Sequence, residues 1–196
     1  MKILIATTNK GKKKEISALF EGFPFELVFP SDLGITTDVA ETGSSYAENA
    51  ALKAETLCAQ SGMVTLADDT GLEVDTLDGR PGLHSARYLP IQGATDADRR
   101  AKLLQELQAK STPWIARFYC VVAVATPGLP TQFFEGELKG RIIDSESGDH
   151  GFGYDRLFWI SSLNKTLADL SMEEKNAISH RAMAVKKAIQ YLSLLK

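Results

Sequence analysis

Three clusters in this chain combine residue types and spacings suited to phosphate and metal chemistry. The first is Thr7, Thr8, Asn9, Lys10, Gly11 and Lys12, continued by Lys13 and Lys14. Cations supply attraction for a polyanion there, and the hydroxyls and the amide add neutral hydrogen bonds. The second is Asp68-Asp69-Thr70-Gly71. Two carboxylates beside a phosphate site suit Mg²⁺, which usually sits between carboxylates and substrate phosphates. One of the pair can also take a proton from an attacking water. The third is the loop 148–155, where glycines let a backbone approach a ligand closely and Phe152 or Tyr154 can stack on a base. Each cluster also has a plainer reading. The lysines can form a solvated face, Asp68 can cap local N–H groups in a turn, and the loop's rings can tuck into the core.

The first cluster follows Ile3-Leu4-Ile5, which reads as a buried strand. It precedes Ile16, Leu19 and Phe20, whose spacing marks one helix face. A turn between strand and helix presents free backbone N–H groups and the helix's positive end to an anion. Four lysines (Lys10, Lys12, Lys13, Lys14) are locally unfavourable at that end, and an anion among them reverses the sign. The segment is not a Walker A loop, which opens with Gly and follows its Lys with Ser or Thr. Here Thr7 holds the first place and Lys13 follows Lys12, which disfavours P-loop kinases and NTPases.

A short strand over 64–67 leads into Asp68-Asp69. Successive strand residues point to opposite faces, so both carboxylates share one site only where the strand gives way to a turn, which Gly71 permits. Glu41-Thr42-Gly43 precedes a helix opened by Ser45 and Glu48 as a capping box. Ala47, Ala50, Ala51, Ala54, Leu57 and Cys58 form its apolar side, and Gly62 stops it. Glu41 is a further carboxylate for a metal, or a favourable charge near a helix N-terminus. Asn49 and Lys53 share one face of that helix, either solvated or turned toward phosphates. Ser171 and Glu174 open a short helix, and Ser179 caps a longer one over 180–195. His180 and Arg181, at its positive end, suit a carbonyl oxygen or a phosphate, or are simply exposed.

The remaining elements are a strand over 25–29, an amphipathic helix over 96–108, and a strand over 115–125. That last strand alternates and then turns continuously apolar, as a central strand does. A turn at 126–128 leads to a partner strand over 132–138, a hairpin pattern. Short strands over 141–143 and 156–160 flank the glycine-rich loop. Hairpins mixed with helical connections predict an α/β fold with a mixed central sheet and flanking helices rather than a doubly wound parallel sheet.

At 196 residues the chain suits one large domain or two lobes sharing one sheet. The net charge of −3 argues against a dedicated nucleic-acid binder, so the positive charge is local. Cys58 and Cys120 show no metal spacing and read as reduced core thiols of a cytosolic protein. Met1-Lys2 leads into too short an apolar stretch for a signal peptide, and the apolar run 121–125 is far below membrane-spanning length.

Taken together, Thr7 to Lys12 in order, Asp68-Asp69-Thr70-Gly71, Phe152-Gly153-Tyr154-Asp155, Lys175 and Ser179-His180-Arg181 resemble the inosine triphosphate pyrophosphatase family. The similarity runs in order over nearly the whole chain, through Glu41-Thr42-Gly43, Glu48-Asn49-Ala50, Pro81-Gly82 and Ser85-Ala86-Arg87-Tyr88. The resemblance implies Mg²⁺-dependent hydrolysis of ITP, dITP and XTP to the monophosphate and pyrophosphate. It also implies an elongated two-lobed α/β domain with the site in its cleft, and a cytoplasmic homodimer. By that analogy Thr7, Thr8, Asn9, Lys10, Gly11, Lys12 and Lys53 hold the triphosphate. Asp69 accepts the proton and binds metal, and Asp68 and Glu41 support the metal. Thr70, Phe152, Gly153, Tyr154, Asp155, Lys175, His180 and Arg181 surround the nucleotide. A donor such as Arg181 aimed at the 6-oxo group would accept inosine and meet the 6-amino group of adenine donor against donor. Three residues depart from the family pattern: Glu146 and Arg156 stand where prolines are common, and His150 where a glycine is common. Rival readings are a pyrophosphatase for other modified nucleotides and a catalytically silent nucleotide-binding module.

Overall fold

The computed structural model describes residues 1–195. One sheet of seven strands runs in the order β2-β1-β3-β4-β5-β6-β7, and the chain divides into two compact units. The first comprises Met1–Asp69, Cys120–Gly136 and the chain from His180 onward; the second comprises Thr70–Tyr119 and Glu137–Ser179.

In the first unit, β1 (Lys2–Ile5) pairs in parallel with β2 (Glu26–Val28) and with β3 (Thr65–Val74), in the register Leu4↔Thr65 and Ile5↔Leu66. Strand alternation sorts the side chains onto two faces. Ile3, Ile5, Leu66, Val122 and Val124 pack with α1 (Lys10–Phe20) and α5 (His180–Leu192). Leu4, Ala67, Ala123 and Ala125 pack with Ala50, Ala54 and Leu57 of α2 (Tyr46–Ser61). The face toward α1 and α5 is thus lined by branched residues, and the face toward α2 mostly by alanines, with Leu4 among them. Each fully buried Ile or Leu contributes about 1.5–3 kcal/mol. Cys58 and Cys120 are buried, as expected of core thiols.

The second unit takes the C-terminal half of β3, α3 (Asp96–Leu107), the start of β4 (Trp114–Ala125) and the end of β5 (Gln132–Ile142). β6 (Phe158–Ile160), β7 (Lys165–Thr166) and α4 (Met172–Ile178) complete it. Here β6 pairs antiparallel with both β5 and β7, so the sheet is mixed, as the sequence predicts. Leu72, Val74, Leu103, Leu107, Phe118, Leu157 and Phe158 form the core.

Two strands differ from expectation. β3 does not turn at Asp68-Asp69 but continues regularly through Thr70 and Gly71 to Val74. β5 is continuous where two strands were expected, passing through Gly140 without a break. A Cβ at Gly140 would lie 2.5 Å from the Trp159 carbonyl oxygen, so the glycine is there for the close approach of β6 rather than to end a strand. The short β7 is an element the sequence reading lacks. No helix among the described residues is long and apolar enough to cross a membrane.

Candidate active site

The polar turn between β1 and α1 is shorter than expected, because the helix already begins at Lys10. Asn9 caps it by accepting from the Lys12 N–H at 3.0 Å, and Thr7 Oγ1 accepts from the Asn9 N–H at 3.2 Å. Thr8, Asn9 and Lys10 are exposed, and Gly11 lies in the helix's first turn. Of the lysines, Lys12 turns inward to Asp68, whereas Lys13 lies 3.7 Å over the Phe29 ring.

Because β3 runs on as a regular strand, Asp68 and Asp69 fall on opposite faces. Asp68 follows Leu66 onto the α1 and α5 side. Its Oδ2 is 3.1 Å from Lys12 Nζ and accepts from Arg181 Nε at 3.1 Å. The Arg181 guanidinium also donates to Glu15, another buried carboxylate. Asp69 follows Ala67 onto the α2 side. Its Oδ2 accepts from Asn49 Nδ2 at 3.2 Å, and its Oδ1 is 3.7 Å from Lys53 Nζ. Lys53 also donates to Glu41 Oε1 at 2.7 Å. The two lysines converge on one atom, the Asp68 carbonyl oxygen, with Lys53 Nζ at 2.8 Å and Lys12 Nζ at 3.3 Å.

The loop bearing Glu41 is fixed by α2. Ser45 Oγ accepts from the Glu48 N–H, and the Glu48 carboxylate reaches back to accept from the N–H and hydroxyl of Ser44. The Gly43 N–H donates to Asn49 Oδ1 at 2.8 Å, and a Cβ at Gly43 would come within 2.6 Å of Glu48 Cβ. Asn49 thus links the Glu41 loop to Asp69 with one amide.

These surroundings drive the two neighbouring carboxylates apart. Burial would raise the Asp68 carboxyl, but Lys12, Arg181 and Lys53 hold it far below the usual carboxylate range. Burial also raises Asp69, and there Lys53, Lys12 and Asn49 do not overcome it while Glu41 adds to it. Burial would lower Lys53, yet Asp69, Asp68 and Glu41 outweigh it and raise that amine. Opposite shifts on adjacent carboxyls separate a permanent counter-charge from a group suited to proton transfer.

Among the described residues no group of three or more His, Cys, Asp and Glu side chains is arranged to hold a metal ion. Asp68 has its carboxylate on Lys12 and Arg181 rather than beside Glu41. Glu41 and Asp69 do share a cation, the Lys53 ammonium. Mg²⁺ binds through one or two carboxylates and takes its other ligands from water and substrate phosphates, so this pair fits it.

In the second unit, the loop 152–155 is held by its own carboxylate. Asp155 Oδ2 accepts from the Phe152 N–H at 2.8 Å and from Lys175 Nζ at 2.5 Å. Lys175 also lies 5.2 Å from the Phe152 ring centroid. Tyr154 is buried and donates its hydroxyl to the Ser85 carbonyl at 2.9 Å. A Cβ at Gly151, at φ 73°, would lie 2.1 Å from Asp155 Oδ2, so only glycine fits there. Thr70 is half-buried at the start of this unit. His180 and Arg181 belong to the first unit and are buried, which removes the exposed reading of both.

A profile of the Ham1 family matches residues 3–191. This chain belongs to that family. A dITP/XTP pyrophosphatase of Listeria monocytogenes serotype 4b is 46% identical over 187 residues, covering 95% of this chain and 92% of that protein. The Ham1 protein of Staphylococcus aureus has a solved structure with TM-score 0.87 and 38% identity, covering all of both chains. A HAM1 protein of Coxiella burnetii gives TM-score 0.89 and 35% identity over 98% of each. The family expected from the motifs is therefore the one found. The sequence reading missed Glu15, Asp96 and Arg100. Two of them had a signal: Glu15 adjoins Ile16 on an apolar helix face, and Arg100 lies on the stripe of Leu103 and Leu107.

Proposed function

We infer that this chain hydrolyses the non-canonical purine nucleoside triphosphates ITP, dITP and XTP to the monophosphate and pyrophosphate, clearing them from the nucleotide pool. The observation that carries the catalytic assignment is the opposed environment of Asp68 and Asp69, with two lysine ammoniums meeting between them. Asp69, raised toward the range where a carboxylate is an effective base, takes a proton from water as that water attacks the α-phosphorus. The bond to the bridging oxygen breaks, and pyrophosphate leaves. Lys12 and Lys53 offset the negative charge on the departing group.

Residues 7–12 supply N–H groups, hydroxyls and charge for the triphosphate, which supports their assignment along with Lys53. Glu41 and Asp69 would hold Mg²⁺, which supplies charge neutralisation on the phosphates and a more acidic water. Asp68 supports that site by fixing Lys12 and Arg181. Thr70, Phe152, Gly153, Tyr154, Asp155 and Lys175 form the nucleoside end, with the Phe152 ring for stacking. His180 and Arg181 are the remaining nucleotide residues of this reading, the Arg181 guanidinium being held by Asp68 and Glu15. The chain works as one pyrophosphatase domain and as a cytoplasmic homodimer, a state that light scattering measures.

The direct test is pyrophosphate release from ITP, dITP and XTP against ATP, CTP and UTP, with and without Mg²⁺. The inosine and xanthosine nucleotides should turn over much faster, and only with the metal. Equal rates across the panel would remove the selectivity, and stepwise orthophosphate release would remove the α-attack.

A further inference from the structure

Gly153 is the residue of the 152–155 loop least held by its own side of the chain. It sits at φ 63°, and a Cβ there would have nothing within 4 Å. Both of its peptide groups are instead held from α3. Its N–H donates to Asp96 Oδ2 at 2.7 Å, and its carbonyl accepts from Arg100 Nη1 at 2.8 Å. Asp96 and Arg100 are four residues apart and so share a helix face. The two side chains grip successive polar atoms of one glycine.

Arg100 is only 7% exposed, and burying a guanidinium is costly unless it is paired. Its partner is Glu146, which accepts from Nε at 2.8 Å and from Nη2 at 3.0 Å. This two-point fork fixes the plane of the guanidinium and leaves Nη1 directed at the Gly153 carbonyl. Arg156 adds to the same cluster, with Nη1 3.6 Å from Glu146 and Nη2 3.1 Å from Asp149. An apolar side chain at position 100 would simply continue the buried stripe of Leu103 and Leu107. What the guanidinium adds is a fixed direction for one loop carbonyl.

We propose that Arg100, clamped by Glu146, is a positioning residue for nucleobase selection, setting through the Gly153 peptide the directions of Phe152 and Asp155. The proposal rests on the reading of residues 152–155 as the base-binding loop. A reagent that carries the phosphates without a base separates this role from phosphate binding, and inorganic tripolyphosphate is such a probe.

The experiment compares Arg100→Lys, Glu146→Gln and Phe152→Ala in the full chain. It measures kcat and KM for ITP and ATP, inhibition by tripolyphosphate, and thermal unfolding. Arg100→Lys should raise KM for ITP about tenfold, as loss of a charge-assisted hydrogen bond would, and narrow the preference for ITP over ATP. Its kcat should stay within about twofold and tripolyphosphate inhibition should not move, the pattern of lost ground-state binding. Glu146→Gln should show the same pattern more weakly, and it carries the test alone if Arg100→Lys does not fold. Unchanged selectivity in both, or equal losses for ITP and tripolyphosphate, would overturn the proposal. If Phe152→Ala alters selectivity while those two do not, the clamp is refuted and the loop reading stands. If Phe152→Ala leaves selectivity intact, the loop reading itself falls.

Discussion

Around Asp68 and Asp69 cationic side chains meet carboxylates and a single backbone carbonyl, whereas around Gly153 side chains grip the loop's own peptide groups. In the first region Lys12, Lys53 and Arg181 meet Glu41, Asp68, Asp69 and Glu15. In the second, Asp96, Arg100, Asp155 and Tyr154 bind N–H groups and carbonyls of the chain itself. A lysine ammonium on a flexible stem can exchange a carboxylate or carbonyl oxygen for a phosphate oxygen with little change of backbone. A peptide group cannot change partners without changing the loop. The first region is thus arranged to accept charge, and the second to keep a shape.

The comparison breaks most severely at Arg181, whose guanidinium is buried with Glu15 and Asp68. Arg181→Met should cost about 3–5 kcal/mol of stability, because it leaves buried carboxylates uncompensated; urea unfolding measures it. A loss below about 1 kcal/mol would mean that the cluster relaxes into water.

Asp69→Asn keeps the size and an oxygen but cannot act as a base or an anionic ligand. It should lose at least about 10²-fold in kcat with the unfolding midpoint nearly unchanged. Without Mg²⁺ it should bind ITP as tightly as the parent or tighter, since a carboxylate no longer repels the phosphates. Near-parental turnover would transfer the role of base to Asp68.

Lys12→Ala tests the idea that the ammonium changes partners. KM for ITP should rise about tenfold, the loss expected for a charge-assisted contact, and kcat should fall too if Lys12 also stabilises the leaving charge. Unchanged constants would return Lys12 to a purely structural contact with Asp68.

The smallest effect belongs to the second region and depends on pH. The hydrogen bond from Arg100 lowers the Glu146 carboxyl below its ordinary value. Its contribution to stability is therefore present above the unfolded-state value and is lost as pH falls through the depressed folded one. Glu146 is about a third exposed, so screening keeps the contribution below about 1 kcal/mol. The stability gap between the parent and Glu146→Gln should be visible at neutral pH and close in acid. A gap that widened in acid would contradict this pairing.

Much of this was legible before the structure. The β1–α1 turn, the Ser45 cap, the Gly62 stop, α3 and β4 followed from local signals, because each depends on residues a few positions apart. The Asp68-Asp69-Thr70-Gly71 segment did not, because its turn-like composition yields to pairing within a seven-stranded sheet. Alternation alone could have separated the two carboxylates, since Leu66 and Ala67 already mark the two faces. The grip of Arg100 on Gly153 spans 53 positions, and local pattern carries no trace of it beyond a charge on an apolar stripe. The partners of Arg181 were not legible, because they come from α1 and β3.

The parallel register of β1 on β3 has a consequence for how this chain tolerates insertions and deletions. With a strand period of two, a slip of one position carries every side chain to the other face. Adding one codon among residues 65–67 would carry Asp68 into the place of Asp69, beside Asn49 and Lys53, and Asp69 into the place of Thr70, one strand repeat beyond Glu15 and Arg181. Each carboxylate would change face with no residue lost, and the place of Asp68 would pass to the residue before it. The same slip would press leucine into the alanine-lined side and leave a void on the other. An out-of-register strand therefore fails mechanically, and core packing holds Asp68 and Asp69 to their own faces.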